Sequence, residues 1–276
     1  MPEFEISLAE WSLHRSLESG RIARLDFPRV AREEFGIGAV ELVNTLMDGY
    51  EVGSVRELAR RANDAGVKVH LIMCDDEGDL SAESAAERER AARNHFKWLD
   101  AAAALGCRAV RVNTGGEDAQ ESHAEMIRRC AESCALVVEY AAKLGLDVLV
   151  ENHWGLSGDV DSLVELVRRV DHPRFGILPD FGNFEPGVDR YAAVERMMPH
   201  ARAVSVKCFD FDDHTGEETT MDLGRILDIV RRAGYRGYLG IEYEGERLEE
   251  FEGVRRARRF LDAWIERPGP GAVADA

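Results

Sequence analysis

Short apolar runs alternate with longer amphipathic segments along nearly the whole chain. Runs rich in Val, Ile and Leu fall at 4–9, 39–43, 67–73, 109–113, 147–151, 175–180, 203–207 and 238–243. Each is short enough, and apolar enough, for a buried parallel strand. Between them lie Ala-, Glu- and Arg-rich stretches with helical periodicity, near 27–35, 54–65, 82–105, 120–144, 160–170, 189–196 and 223–233, with a last one at 247–265. The joints from helix to strand repeat one device. Asn63-Asp64-Ala65-Gly66-Val67, Ala104-Leu105-Gly106-Cys107, Lys143-Leu144-Gly145-Leu146 and Arg232-Ala233-Gly234-Tyr235 each set a glycine just past the final helical turn, where a left-handed cap costs least. Eight such strand–helix units predict an α/β protein folded as a single (β/α)8 barrel over residues 1–266. An open doubly wound sheet is the competing architecture, but no Gly-x-Gly-x-x-Gly follows the first run. The Pro/Gly-rich end, 267–276, reads as a disordered tail.

Three of the apolar runs stop at an acid: Val148-Leu149-Val150-Glu151, Gly176-Ile177-Leu178-Pro179-Asp180 and Tyr238-Leu239-Gly240-Ile241-Glu242. In a closed β/α barrel the C-terminal strand ends share one mouth, and that mouth holds the active site. Side chains alternate along a strand, so an inward Glu151 brings His153 with it and turns Asn152 away. An inward Glu242 likewise brings Glu244. The same rule pairs Arg111 with Asn113, Ser205 with Lys207, and Glu41 with Val43. Trp11 and His14 lie in a long first βα loop, about 10–26, of the kind that covers substrate. Any one of the three acids alone is more often a loop cap or an ion-pair partner, for instance of Arg111, and His70 reads as a core histidine; the convergence of the three acids carries the reading. Carboxylates this close cannot all ionise in a poorly solvated pocket unless cations compensate. A divalent ion at Glu151, Asp180 and Glu242 is the simplest solution, and Mn, Mg, Co or Zn suits oxygen or oxygen-plus-nitrogen donors. Such an ion grips vicinal sugar oxygens and polarises a carbonyl, so that a neighbouring Glu can take a proton from the adjacent carbon and leave an enediolate.

Composition narrows the partners. The chain has 276 residues and a net charge of −17, a field that repels nucleic acid and anionic lipid. No apolar run approaches the roughly 18 residues of a membrane span, and the acidic Met1-Pro2-Glu3-Phe4-Glu5 start lacks the pattern of a signal peptide; the expected location is cytoplasmic. Five cysteines match no zinc module and read as reduced thiols, with Cys130 and Cys134 on one helix face. The expected partner is a small-molecule carbohydrate, with a homo-oligomer possible.

Glu151-Asn152-His153-Trp154-Gly155, Leu178-Pro179-Asp180-Phe181-Gly182-Asn183-Phe184, Val204-Ser205-Val206-Lys207 and Gly237-Tyr238-Leu239-Gly240-Ile241-Glu242-Tyr243-Glu244-Gly245 resemble the second half of a xylose-isomerase-like TIM barrel, the sugar phosphate isomerase/epimerase superfamily. The resemblance covers about residues 4–265. It implies a metal held by Glu151, Asp180 and Glu242, with Glu151 and Glu242 as the acid/base pair of an isomerase or epimerase. His153 and Lys207 would bind substrate oxygen or stabilise the enolate, and Arg111, Asn113, Glu41, Glu244, Trp11 and His14 would complete the substrate site. The sequence departs from the family at two positions: Ser205 stands where a fourth, histidine ligand is expected, and Asn183 stands where many relatives carry histidine. These departures leave open a metal-dependent lyase or dehydratase on a keto-sugar or inosose-like substrate, and a sugar-binding barrel without catalysis. They count against the superfamily's abasic-site endonucleases, whose zinc cluster needs many histidines.

Overall fold

The structure is a computed structural model that describes residues 3–116 and 122–267. The tail expected over 267–276 lies, beyond Arg267, outside the described residues. The strands are β1 Phe4–Ala9, β2 Ala39–Val43, β3 Lys68–Met73, β4 Ala109–Val112, β5 Asp147–Glu151, β6 Phe175–Leu178, β7 Ser205–Cys208 and β8 Gly237–Tyr243. All neighbouring pairs run parallel, in the order β6-β5-β4-β3-β2-β1-β8-β7. The circle closes between β6 and β7 through parallel bridges Ile177↔Ala201 and Asp180↔Ser205. This is a TIM barrel. The run expected at 175–180 is a strand only to Leu178. Pro179 has no N–H to give the ladder, yet its carbonyl accepts from Ser205 N–H at 2.9 Å and so keeps the seam shut.

Around the barrel lie α1 His14–Glu18, α2 Phe27–Phe35, α3 Val52–Asp64, α4 Ala85–Asn94, α5 Phe96–Leu105, α6 His123–Lys143, α7 Val160–Val170, α8 Arg190–Met197, α9 Leu223–Arg232 and α10 Glu250–Ile265. The single helix expected at 82–105 is two. At the break, the buried His95 imidazole Nδ1 donates to the Ala91 carbonyl at 2.8 Å, and the His95 N–H bonds Ala92 O instead. A side chain that takes the i−4 carbonyl this way bends a helix. The joint glycines behave as expected: Gly106 and Gly234 have φ of 75° and 78°.

Strand alternation sorts the core into two parts. Val148 and Val150 of β5, Val204 and Val206 around β7, and Leu239 and Ile241 of β8 are fully buried among the apolar side chains that pack the helices on the sheet. The opposite set, facing into the barrel, turns polar towards the C-terminal ends of the strands. No helix among the described residues is long and apolar enough to cross a membrane.

One packing detail gives a test. Gly253 of α10 lies against the Tyr243 ring, and a Cβ there would meet Cε1 and Cζ at 2.3 Å. Glycine to alanine inside a helix ordinarily stabilises by about 1 kcal/mol. Here overpacking should dominate, so Gly253→Ala is expected to lower stability by roughly 1–3 kcal/mol in urea unfolding; a stabilised variant would show that α10 packs on β8 less closely than described.

Candidate active site

The inward positions at the strand ends are Glu41 on β2, Arg111 on β4, Glu151 on β5, Ser205 and Lys207 on β7, and Glu242 on β8, with Asp180 just after β6; all are buried. Glu151, Asp180 and Glu242 each offer a carboxylate oxygen such that these atoms lie within 4.8 Å of one another. Local bonding fixes each. Where Pro179 interrupts the β6 ladder, the side chain of Asn152 replaces it: its Oδ1 accepts from Asp180 N–H at 2.7 Å, and its Nδ2 donates to Asp180 O at 2.9 Å and Asn183 O at 3.1 Å. Asp180 Oδ1 accepts the backbone N–H groups of Gly182 (2.8 Å) and Asn183 (2.7 Å). Glu151 Oε1 accepts from Asn183 Nδ2 at 3.1 Å. Glu242 Oε2 accepts from Ser205 Oγ at 2.9 Å.

Two cations balance the cluster. Lys207 Nζ donates to Asn183 Oδ1 at 3.0 Å and lies 3.1 Å from Glu242, 3.3 Å from Glu244 and 3.8 Å from Asp180. Arg111 Nη1 reaches Asp75 Oδ1 at 2.6 Å and Asn113 Oδ1 at 3.0 Å, and Asn113 Nδ2 donates to the same Asp75 oxygen at 2.7 Å. Arg111 Nε stands 2.8 Å from Glu151 Oε2, an ion-pair contact without the alignment of a hydrogen bond. Glu151 Oε2 and Asp180 Oδ2 are therefore buried with no hydrogen bond at all. Such atoms are rare in folded proteins and call for a ligand. With the Glu242 carboxylate beside them, they make a donor set consistent with a divalent cation, and it contains oxygens only. Ser205 gives its hydroxyl proton to Glu242, and a neutral hydroxyl oxygen is all it offers where a histidine ligand was expected.

Burial sets these groups' titration apart. It pushes Glu151 up to about 8 against the pull of Arg111, and Asp180 up to about 6 against Lys207. Burial acts on Glu242 too, but Lys207 and the bond from Ser205 outweigh it and hold this carboxyl below its ordinary value. Burial disfavours the Lys207 ammonium, yet the surrounding acids hold it firmly protonated. Burial, with Arg111 and Lys207, lowers His153 to about 4.

Above the cluster opens a cavity of about 1100 Å³. Glu242, Glu244, Arg111, Asn113, His153 and Trp11 are on its wall, so these expected residues share one space. His153 Nδ1 is buried there without a hydrogen bond. Glu151, Asp180 and Lys207 lie beneath the wall, and His14 and Glu41 are also off it. His14 stacks behind Trp11, with ring centroids 4.7 Å apart, and bonds the Trp11 carbonyl. Glu41 lies deeper in the barrel, where its Oε1 accepts from Ser7 Oγ at 2.6 Å. Sequence reasoning passed over Asp75, which ties Arg111 to Asn113, although Leu71-Ile72-Met73-Cys74-Asp75 repeats the pattern of an apolar run ending at an acid. It also passed over the bridging role of Asn183 and the buried Glu10, whose Oε2 accepts from Val43 N–H at 2.9 Å.

A sequence profile of the family described as "Xylose isomerase-like TIM barrel" matches residues 29–264, well over half of the chain. No curated protein matches the chain. Among solved structures it is similar to a D-tagatose 3-epimerase-like protein, at 20% identity over 96% of this chain and 97% of that one, with a TM-score of 0.73. It is also similar to a probable 3-DHS dehydratase from Bacillus anthracis, AsbF, involved in petrobactin synthesis (19% identity; 94% and 98% covered; TM-score 0.71). A third is the 3-keto-D-glucoside 4-epimerase YcjR of E. coli (17%; 96% and 99%; 0.71). At these identities the likeness shows the fold.

The buried acids make stability depend on pH. Glu10, Glu41 and Glu151 sit near 8, 7 and 8 against an ordinary 4.5, each lifted by burial. The folded chain thus keeps protons that the unfolded chain has released, and stability falls as pH rises through that range. His70 and His153, lowered by burial to about 4 from 6.5, act in the opposite direction, but only below about 6.5. Chelator-treated protein is therefore expected to lose roughly 1–3 kcal/mol between pH 6.5 and 8. Thermal unfolding across that window checks this, and a melting temperature that climbs contradicts it.

Proposed function

The chain belongs to the xylose isomerase-like TIM barrel family, and we propose that it is a divalent-metal-dependent isomerase or epimerase of a small sugar or keto-sugar. The reaction would proceed by proton abstraction next to a carbonyl, through an enediolate. The observation that carries this reading is the Glu151–Asp180–Glu242 cluster, buried, convergent, and with one oxygen each of Glu151 and Asp180 lacking a hydrogen bond. A divalent ion held by these residues supplies electrophilic polarisation of the substrate carbonyl. Its donors are all oxygens, which favours Mn or Mg over Zn.

The remaining chemistry falls to the side chains. Glu242, kept ionised against burial by Lys207 and Ser205, is the base that takes the proton beside the carbonyl. Glu151, on the opposite side of the cluster, returns a proton; burial lifts its value to about 8 in the metal-free chain, and a bound cation would lower it. Lys207 and His153 bind the substrate oxygen on which charge develops; His153, lowered to about 4 by burial, does so as a neutral imidazole. Arg111 and Asn113 hold the neighbouring wall in place with Asp75, and Glu244 shares Lys207. Trp11 closes one side of the mouth, steadied by His14, while Glu41, deeper in the barrel, feels the charge of Glu242. A cytosolic setting fits five buried free thiols.

A dehydratase is the second reading: a proton returned by Glu151 to a leaving hydroxyl would release it as water, and a probable dehydratase is among the similar structures. One experiment separates them. Manganese-supplemented protein is incubated with a panel of ketoses and keto-sugars in heavy water and followed by NMR and mass spectrometry. Deuterium entering the carbon next to the carbonyl, with composition otherwise unchanged, supports the isomerase; loss of water marks the dehydratase; no exchange with any substrate contradicts both. On a substrate so identified, Glu242→Gln is expected to slow exchange by about 10²–10⁴-fold, and retained exchange rejects Glu242 as the base.

A further inference from the structure

The cavity continues well beyond the carboxylate cluster. Its volume of about 1100 Å³ exceeds the roughly 300–1,000 Å³ typical of pockets for drug-sized ligands, far more than a free hexose occupies. Of the three clustered carboxylates only Glu242 reaches its wall. The space then runs outward along the loop after β3, past Asp75, Asp76, Glu77 and Asp79. That loop is fixed. Glu77 bonds Asn44 at 3.3 Å and pairs with Lys97 at 3.0 Å. Asp79 Oδ1 accepts from the N–H and hydroxyl of Ser81, and Oδ2 accepts from Gly116 N–H at 3.2 Å. Gly115, with φ of 78°, lies so near that a Cβ would stand 2.0 Å from the Asp79 carboxylate. Asp76 differs from its neighbours. It has φ of 60°, is exposed, and its carboxylate has no partner among the described residues. Trp11 and Trp154 also line the cavity, and Trp154 is 38% exposed.

Resting on the function proposed above, we infer that this outer region is a second subsite, for an uncharged, hydroxyl-rich group joined to the reacting sugar. The preferred substrate is then a glycoside of disaccharide size. Asp76 accepts hydroxyl hydrogen bonds, and an indole face packs against the C–H face of a sugar ring. The row of acids repels phosphate or carboxylate substituents. Of the arginines on the wall, Arg111 is paired with Asp75 and Glu151, while Arg24 and Arg129 bond the Met47 and Ser81 carbonyls and are outnumbered there by acids.

Isothermal titration of the full chain with D-fructose, lactulose, isomaltulose and D-fructose 6-phosphate tests this. At least one disaccharide should bind about tenfold or more tightly than fructose, with the phosphate ester weakest. Asp76→Ala and Trp154→Ala, each checked for an unchanged melting curve, should cut that advantage to about threefold or less. Equal affinities, a preference for the phosphate ester, no binding of any sugar, or an advantage untouched in both variants overturns the subsite. Titrating manganese into the same protein keeps the two readings apart. A disaccharide preference without manganese binding retains the subsite and removes the metal enzyme; manganese binding without the preference does the reverse.

Discussion

Negative charge gathered inside the barrel mouth is the constraint to which the rest of the structure answers. Glu151, Asp180 and Glu242 are buried within a few ångströms of one another, and desolvation opposes ionisation of all three. Lys207 and Arg111 are the protein's own compensation. Neither closes the account: Lys207 serves Glu242, Glu244 and Asn183, while Arg111 turns its Nη1 to Asp75 and Asn113. Glu151 Oε2, 2.8 Å from Arg111 Nε, and Asp180 Oδ2, 3.8 Å from Lys207 Nζ, still lack a hydrogen bond. A buried acceptor without a hydrogen bond is costly, and a cation that used both oxygens would offset the cost.

Precision in the cluster comes from amides. Asn152, on the far side of β5, clamps the Asp180 peptide where Pro179 has broken the strand ladder. Asn183 donates to Glu151 and accepts from Lys207, so one neutral side chain connects an acid and a base that do not touch. An uncharged amide offers a donor and an acceptor side by side; a carboxylate there would repel Glu151. With Asn183 on Glu151 Oε1, Oε2 is left facing Arg111 Nε without a hydrogen bond. Ser205 treats Glu242 similarly, holding one oxygen and leaving the other to Lys207.

Much of this was legible in the sequence because much of it is local. Apolar runs, glycine joints and strand-end acids depend on neighbours in the chain, and they gave the barrel and its three acids. Departures arise where a distant or side-chain interaction intervenes: the His95 imidazole splitting one long helix into α4 and α5, or Pro179 ending β6 early. Alternation along a strand gives the side a residue faces but not its height along the barrel axis. Glu41 thus has the expected inward parity yet sits below the cavity with Ser7, and His14 lies in the covering loop but behind Trp11. Asn183 could not be assigned a partner in advance, since it meets Glu151 only because the loop after β6 folds back over β5. Asp75 was accessible to the same strand-end rule as the other acids; the polar residue that drew attention on that strand was His70, which packs against Tyr238 at the other end of the barrel.

The central claim is that Glu151 Oε2, Asp180 Oδ2 and Glu242 form one cation site. The most direct measurement is a manganese titration of chelator-stripped protein followed by electron paramagnetic resonance, with Asp180→Asn and Glu151→Gln in parallel. The account predicts a single ion bound per wild-type chain and affinity weakened at least about tenfold in each variant. Absence of binding to the wild-type chain, or binding that both variants leave unchanged, would contradict it.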